Sequence, residues 1–202
     1  SWSLPEPSDS VKALMTPSST SPGAAIRASS EKPTFDVITS RLPSTSERSN
    51  PKRVYNELGG KSAFVVFDDF TNVERAAKTA AGSMFFNQGE SCNAPSRVLV
   101  HESVAERFVE IVAAEAPNYR AADPLEAKTE MGALVDEGQL RTVMSFIDAG
   151  KKEGARTVTG GTRAREASGG FYVEPTVFDR VDNSMSIARE EIFGPVMSVI
   201  RF

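Results

Sequence analysis

The chain of 202 residues has a single cysteine, so no intrachain disulfide forms and no cysteine-based zinc site can be built. It also has a single histidine, which excludes a multi-histidine centre, and no metal is expected. Basic residues are not in surplus. The 23 Lys and Arg stand against 27 Asp and Glu, a net charge of −4, which gives no argument for nucleic acid or an anionic membrane as partner. No apolar run approaches the roughly 18–20 residues needed to span a bilayer. The N-terminus, SWSLPEPSDS, lacks a basic stretch followed by an apolar one, so no secretory signal is expected. A reducing, cytoplasmic compartment is the default expectation. What the chain does contain is 40% hydrophobic residues, enough for one domain with a real core.

Those residues are unevenly spread. Ser, Thr and Pro make up 24 of the first 50 residues, and the apolar residues there keep no period. Such a segment cannot bury enough surface to offset its backbone entropy. Residues 1–48 are therefore read as a disordered segment, with a short extended piece at 35–38, and 49–202 as the folded domain. From Pro51 the pattern changes. AFVVF at 63–67 reads as a buried strand. Val73, Ala76, Ala77, Ala80, Met84 and Phe85 follow helical spacing, with Thr71 as N-cap and Glu74 completing a capping box. RVLVH at 97–101 is the next strand. Val104, Phe108, Ile111 and Val112 share one helical face, with Ser103 as the cap. Leu140, Val143, Met144 and Ile147 mark a third helix, ending near a left-handed Gly150. Residues 157–159, 172–173, 176–178 and 196–202 are further strand candidates, with Gly160–Gly161 and Gly169–Gly170 as turns. Strands separated by helices of this length predict an α/β fold with a parallel sheet.

Three segments carry chemistry. In FFNQGESC, residues 85–92, a helix ends near a glycine and the lone cysteine follows, before a strand. A thiol on such a turn is surrounded by backbone N–H groups that stabilise a thiolate and then an oxyanion. The plainer reading is a small buried hydrophobe. In NELGGKS, residues 56–62, Glu57 is a candidate general base and the two glycines permit close approach of the backbone to a ligand. The plainer reading is an exposed Glu before a turn. The segment is not a phosphate loop, since it lacks the spacer and the Gly-Lys-Ser/Thr order. In REEIFGPV, residues 189–196, Gly-Pro fixes a turn that would place Glu191 and Phe193 at a pocket rim. His101 looks like a surface residue at a strand end. A Cys–His hydrolase pair is not expected, because the only histidine lies nine residues beyond the cysteine.

In this order and spacing, ELGGKS, FFNQGESCNAPSR and EEIFGPV resemble the aldehyde dehydrogenase family, and TEMGALVDEGQ, GKKEGA and GGFYVEPTVF fit its pattern as well. The resemblance covers about residues 49–202 and looks closest to the group acting on aminoaldehydes such as γ-glutamyl-aminobutyraldehyde. It implies an incomplete parallel-sheet catalytic domain of the aldehyde dehydrogenase type, NAD or NADP as cofactor, and a small aldehyde as substrate. Cys92 matches the family's nucleophile, which forms a thiohemiacetal and, after hydride transfer, a thioester. Glu57 matches the base that activates water. Glu191 and Phe193 match residues that hold the nicotinamide ribose and ring. Leu58 lies where a backbone carbonyl meets the nicotinamide amide, and Gln139 matches an adenine-side ribose contact.

The resemblance also has departures. Asn56 stands where the family usually has an apolar residue, and Glu90 where Gln is commoner. The family's long N-terminal half, with most of its cofactor domain and an oxyanion-hole asparagine, has no counterpart in residues 1–48. The segment used for homo-oligomer formation would follow Phe202. The expectation is therefore a truncated family member with little activity of its own, or a non-catalytic fragment acting by association.

Overall fold

The computed structural model describes residues 57–202. The extended piece at 35–38, the disordered reading of 1–48 and the departure at Asn56 lie outside the described residues. Glu57 and Leu58 belong to a unit that ends at Leu58, and residues from Gly59 to Phe202 belong to another.

In the second unit, five strands form the main sheet: β1 (Ala63–Val66), β2 (Arg97–Val100), β3 (Arg156–Thr159), β6 (Thr176–Asp179) and β7 (Val196–Arg201). Their order is β1-β2-β7-β6-β3, with β1, β2, β7 and β6 mutually parallel and β3 antiparallel at the edge. A separate hairpin pairs β4 (Arg163–Ala164) with β5 (Tyr172–Val173). The parallel α/β expectation is borne out. The two-residue β4 is too short to show a period and was not expected from the sequence.

Both faces are covered at the centre of the sheet, which explains the near-continuous apolar strands there, whereas the strand expected to be buried at 63–67 lies at the sheet edge with Val65 and Phe67 exposed. Val98, Val100, Met197, Val199 and Val177 pack with helices α1 (Val73–Phe85) and α2 (Glu102–Glu115). Their neighbours Leu99, Val196, Ile200 and Phe178 pack with α3 (Glu137–Lys152) and α4 (Ser186–Arg189). Alternate side chains of one strand thus feed two cores.

The helix caps differ from those expected. Asn72, not Thr71, caps α1, its side chain accepting from the Arg75 amide at 2.9 Å. Glu74 pairs instead with Lys78 at 2.7 Å. At α2 the cap is His101, whose Nδ1 accepts from the Ser103 amide at 3.3 Å. His101 is thereby half-buried rather than a bare surface group. Gly150 stays inside α3, because it faces Ile187 and Phe178; a Cβ there would lie 2.9 Å from Ile187 Cδ1. The left-handed residue beyond the helix is Gly154, with φ +96°.

At the carboxyl ends of β6 and β7 sits an ion cluster. The Asp179 side chain is fully buried and accepts from Arg201 at 2.6 Å and from Arg156 at 2.7 Å. Arg201 also reaches Glu106 on α2 at 2.8 Å. Burial pushes the Asp179 carboxyl upward, but the two guanidinium groups outweigh it and hold the carboxyl below its usual range.

Candidate active site

The three motifs enter three neighbouring parallel strands. Gly59–Gly60 precedes β1, Cys92 precedes β2, and Glu191–Phe193 precedes β7. Because β1, β2 and β7 are adjacent and parallel, their N-terminal ends share one edge of the sheet. Open α/β sheets usually bind ligands at the other, carboxyl edge. Here the ion cluster of Asp179 occupies that edge, and the chemistry-bearing residues gather at the opposite one.

Cys92 is the second residue of a turn closed by the Ala94 amide on the Ser91 carbonyl at 3.0 Å. Its side chain is exposed, so the buried-hydrophobe reading is set aside. Before it the chain makes a tight left-handed run through Asn87, Gln88 and Gly89, with φ of 49°, 57° and 70°. Where the motifs touch, Gly60 is hemmed in by backbone and Gly59 by the end of the Glu191 side chain. A Cβ on Gly60 would fall 2.0 Å from the Cys92 carbonyl oxygen, and one on Gly59 would fall 2.3 Å from Glu191 Oε2. The Gly60 amide donates to Glu191 Oε1 at 2.9 Å.

The segment before β7 is held from α3. Asp136 caps that helix, accepting from the Gln139 amide at 2.7 Å. The Gln139 carboxamide then donates to the carbonyls of Ile192 at 2.9 Å and Phe193 at 2.6 Å. Phe193 has a left-handed backbone, φ 54°, and its ring remains 40% exposed. The cysteine loop is tied to the same region. Gln88 accepts from the Gly132 amide at 3.2 Å and Glu90 from the Val135 amide at 3.1 Å. Burial raises the Glu90 carboxyl above its ordinary range, against the pull of that amide.

The structure therefore brings together Cys92, Glu191, Phe193 and Gln139. Glu57 and Leu58 are exposed, Leu58 at 70%. Sequence reasoning missed Lys61, whose Nζ is buried without a hydrogen-bond partner among the described residues. Its place inside ELGGKS was the only signal.

Comparison with known proteins decides the family, since the model of the aldehyde dehydrogenase family matches residues 37–202. The chain belongs to the aldehyde dehydrogenase family. The match begins twelve residues before the boundary at 49 that the motifs alone suggested. Among curated relatives, aldehyde dehydrogenase 1 of Tanacetum cinerariifolium is 46% identical over 154 residues, covering 76% of this chain and 30% of the relative. A solved γ-glutamyl-γ-aminobutyraldehyde dehydrogenase from Burkholderia cenocepacia is 51% identical, with a TM-score of 0.70, covering 72% of this chain and 29% of that one. An indole-3-acetaldehyde dehydrogenase of P. syringae, solved as a cysteine-to-alanine variant with NAD+, is 49% identical with a TM-score of 0.72, over 75% and 30% of the two chains. The chain thus spans about 30% of the length of the curated aldehyde dehydrogenase it matches.

Proposed function

We infer that this chain carries the cysteine centre of an aldehyde dehydrogenase that oxidises an aldehyde to a carboxylic acid with NAD or NADP. The observation that supports it is the meeting of the Gly59–Gly60 turn, the Cys92 turn and Glu191 at one sheet edge. In this reading Cys92 Sγ attacks the aldehyde carbon and the oxyanion of the thiohemiacetal is held by the Cys92 backbone N–H. That N–H donates to no group among the described residues. A donor fixed by a turn needs no reorganisation as the charge develops. Glu57, three residues before Gly60, takes the proton from the water that cleaves the thioester. Covalent catalysis divides one difficult oxidation into two easier steps.

A bound nicotinamide supplies the hydride acceptor, and the residues present fit it. Glu191 Oε1 is committed to Gly60, while Oε2 accepts no bond among the described residues and is open to ribose hydroxyls. The exposed Phe193 ring offers a face to the nicotinamide. The Leu58 carbonyl is assigned to the nicotinamide amide. The Oε1 of Gln139 is assigned to the adenine-side ribose, its nitrogen being occupied by the Ile192 and Phe193 carbonyls. The likeness to a γ-glutamyl-γ-aminobutyraldehyde dehydrogenase supports an aminoaldehyde as substrate. A free nucleophilic thiol suits a reducing, cytoplasmic compartment.

Alkylation by iodoacetamide tests this, because Cys92 is the chain's single cysteine and every label reports on it. NAD and propanal are expected each to slow the labelling. A rate equal to that of a free thiol and indifferent to both additives overturns the reading.

A further inference from the structure

Glu90, two residues before the cysteine, has every polar atom engaged. Its amide donates to the Asn87 carbonyl at 2.9 Å, and its own carbonyl accepts from the Asn87 carboxamide at 2.9 Å. Its Oε1 reaches a residue 45 positions away, accepting from the Val135 amide at 3.1 Å. Its Oε2 accepts from the Gln88 carboxamide at 3.5 Å, and the oxygen of that carboxamide accepts from the Gly132 amide at 3.2 Å. Gln88 and Glu90 thus grip the two ends of the segment from Gly132 to Val135. The chain between Phe86 and the cysteine needs such a grip, because Asn87 and Gln88 hold left-handed backbone that side chains disfavour. Glu90 is not there for stability at neutral pH. Burial raises its carboxyl above the ordinary range, against the pull of the Val135 amide and Gln88, and the charge of Asp136, next to Val135, adds to the rise. A carboxyl that folding makes harder to ionise lowers stability as pH climbs through that window.

We propose that Glu90 is a positioning residue for the nucleophile: its carboxylate, braced by Gln88, pins the chain entering the Cys92 turn to the Gly132–Val135 segment. This deepens the function proposed above and rests on it, since Cys92 is the nucleophile assigned there. A turn held in this way keeps the Cys92 N–H aimed at the developing oxyanion, with no reorganisation as the charge appears. Glu90 acts through the turn and is assigned no contact with aldehyde or cofactor. A glutamine in its place keeps an oxygen for the Val135 amide, although it turns its own nitrogen toward that of Gln88. An alanine removes the tie altogether.

Hydrogen exchange and iodoacetamide labelling of the full chain test this together. In Glu90→Ala the Ala94 amide, which closes the cysteine turn at 3.0 Å, should lose about tenfold of its protection, while the amides of β7 keep theirs. Fixed backbone N–H groups favour the thiolate, so labelling of Cys92 should slow, by roughly threefold or more. Taking a negative charge away from a thiol would by itself speed the reaction, so the direction separates positioning from charge. Glu90→Gln should bring both readings back to near the wild-type values. Equal losses at Ala94 and in β7 would show a general loss of stability and overturn the proposal. Labelling that is unchanged or faster in Glu90→Ala overturns it as well, as does a glutamine variant no better than the alanine one. None of these measurements contains NAD or an aldehyde. Wild-type labelling that ignores NAD and propanal sinks the cofactor reading and leaves the two variants to decide the role of Glu90.

Discussion

The Gly60 amide and the Glu191 carboxylate, 131 residues apart, are joined by a hydrogen bond of 2.9 Å. The bond links the chain entering β1 to the chain entering β7, two strands that do not touch each other in the sheet. Between them lies β2, and the Cys92 turn that leads into it presents its carbonyl to the same glycine. One residue without a side chain therefore sets the spacing of three segments.

Gly60→Ala tests that arrangement. The added Cβ would stand 2.0 Å from the Cys92 carbonyl oxygen, a backbone atom that cannot swing aside. The turn must shift, at a cost typical of overpacking, about 1–3 kcal/mol. Urea unfolding should show that loss. The iodoacetamide reaction at Cys92 should also lose any response to NAD, because the carboxylate and the thiol are displaced together.

Asp179→Asn addresses the opposite edge. The buried carboxylate neutralises Arg156 and Arg201, at 2.7 and 2.6 Å. Removing its charge takes away the one buried carboxylate of the cluster and leaves the two guanidinium groups only the exposed carboxylates of Glu106 and Glu102, and a loss of about 3 kcal/mol is expected. The pH dependence has a definite sign. The folded-state pKa lies below the unfolded one, so the stabilisation is complete above the usual carboxylate range and disappears as pH falls through the folded value. Acid titration of unfolding free energy should therefore show a steeper decline in the wild type than in Asp179→Asn. Cys92 alkylation should be unaffected at neutral pH, since the cluster lies at the far end of the strands.

Much of this layout was legible because it depends on local pattern. The run AFVVF, the spacing Leu140–Val143–Ile147 and the glycine turns each declare an element within a few residues. Cys92, Glu191 and Phe193 were singled out as candidates through motifs of the same short range, and Gln139 through the family resemblance. What the sequence does not show is set by register. Only the pairing of Ala63 with Arg97, and of Arg97 with Ser198, brings the three motifs to one edge. The caps moved by one or two residues: Asn72 accepts from the Arg75 amide and starts α1 one residue after a Thr71 cap would, and His101 accepts from the Ser103 amide and starts α2 two residues before a Ser103 cap would. The burial of the Lys61 Nζ comes from tertiary packing, and no local pattern announces it.

Lys61→Met should make the protein more stable at neutral pH. Folding lowers the Lys61 pKa from 10.5 to about 8, so the unfolded chain holds its proton more tightly. Between those two values the unfolded state binds more protons, and stability rises with pH across that window. At neutral pH the wild type carries the full penalty, and an apolar side chain of similar length removes it. A gain of about 1–3 kcal/mol is expected by urea unfolding. The rise in stability between pH 8 and 10.5 should be absent from the variant. A loss of stability in Lys61→Met would mean that the ammonium is better compensated than its contacts indicate.

Gln139→Ala separates holding the segment before β7 from building the thiol site. The carboxamide nitrogen donates to two carbonyls, Ile192 at 2.9 Å and Phe193 at 2.6 Å. Losing both bonds leaves two acceptors unmatched and should cost about 1–3 kcal/mol. Hydrogen exchange should speed up at Val196, whose amide bonds Gly194 at 2.7 Å just beyond the freed turn. It should stay unchanged at Ala94, which closes the cysteine turn at 3.0 Å without help from α3. Gln139→Glu supplies the same length but no donor, and at neutral pH it sets a carboxylate against two carbonyl oxygens. It should therefore match or exceed the loss in Gln139→Ala. A glutamate variant as stable as the wild type would show that the side chain acts by packing alone.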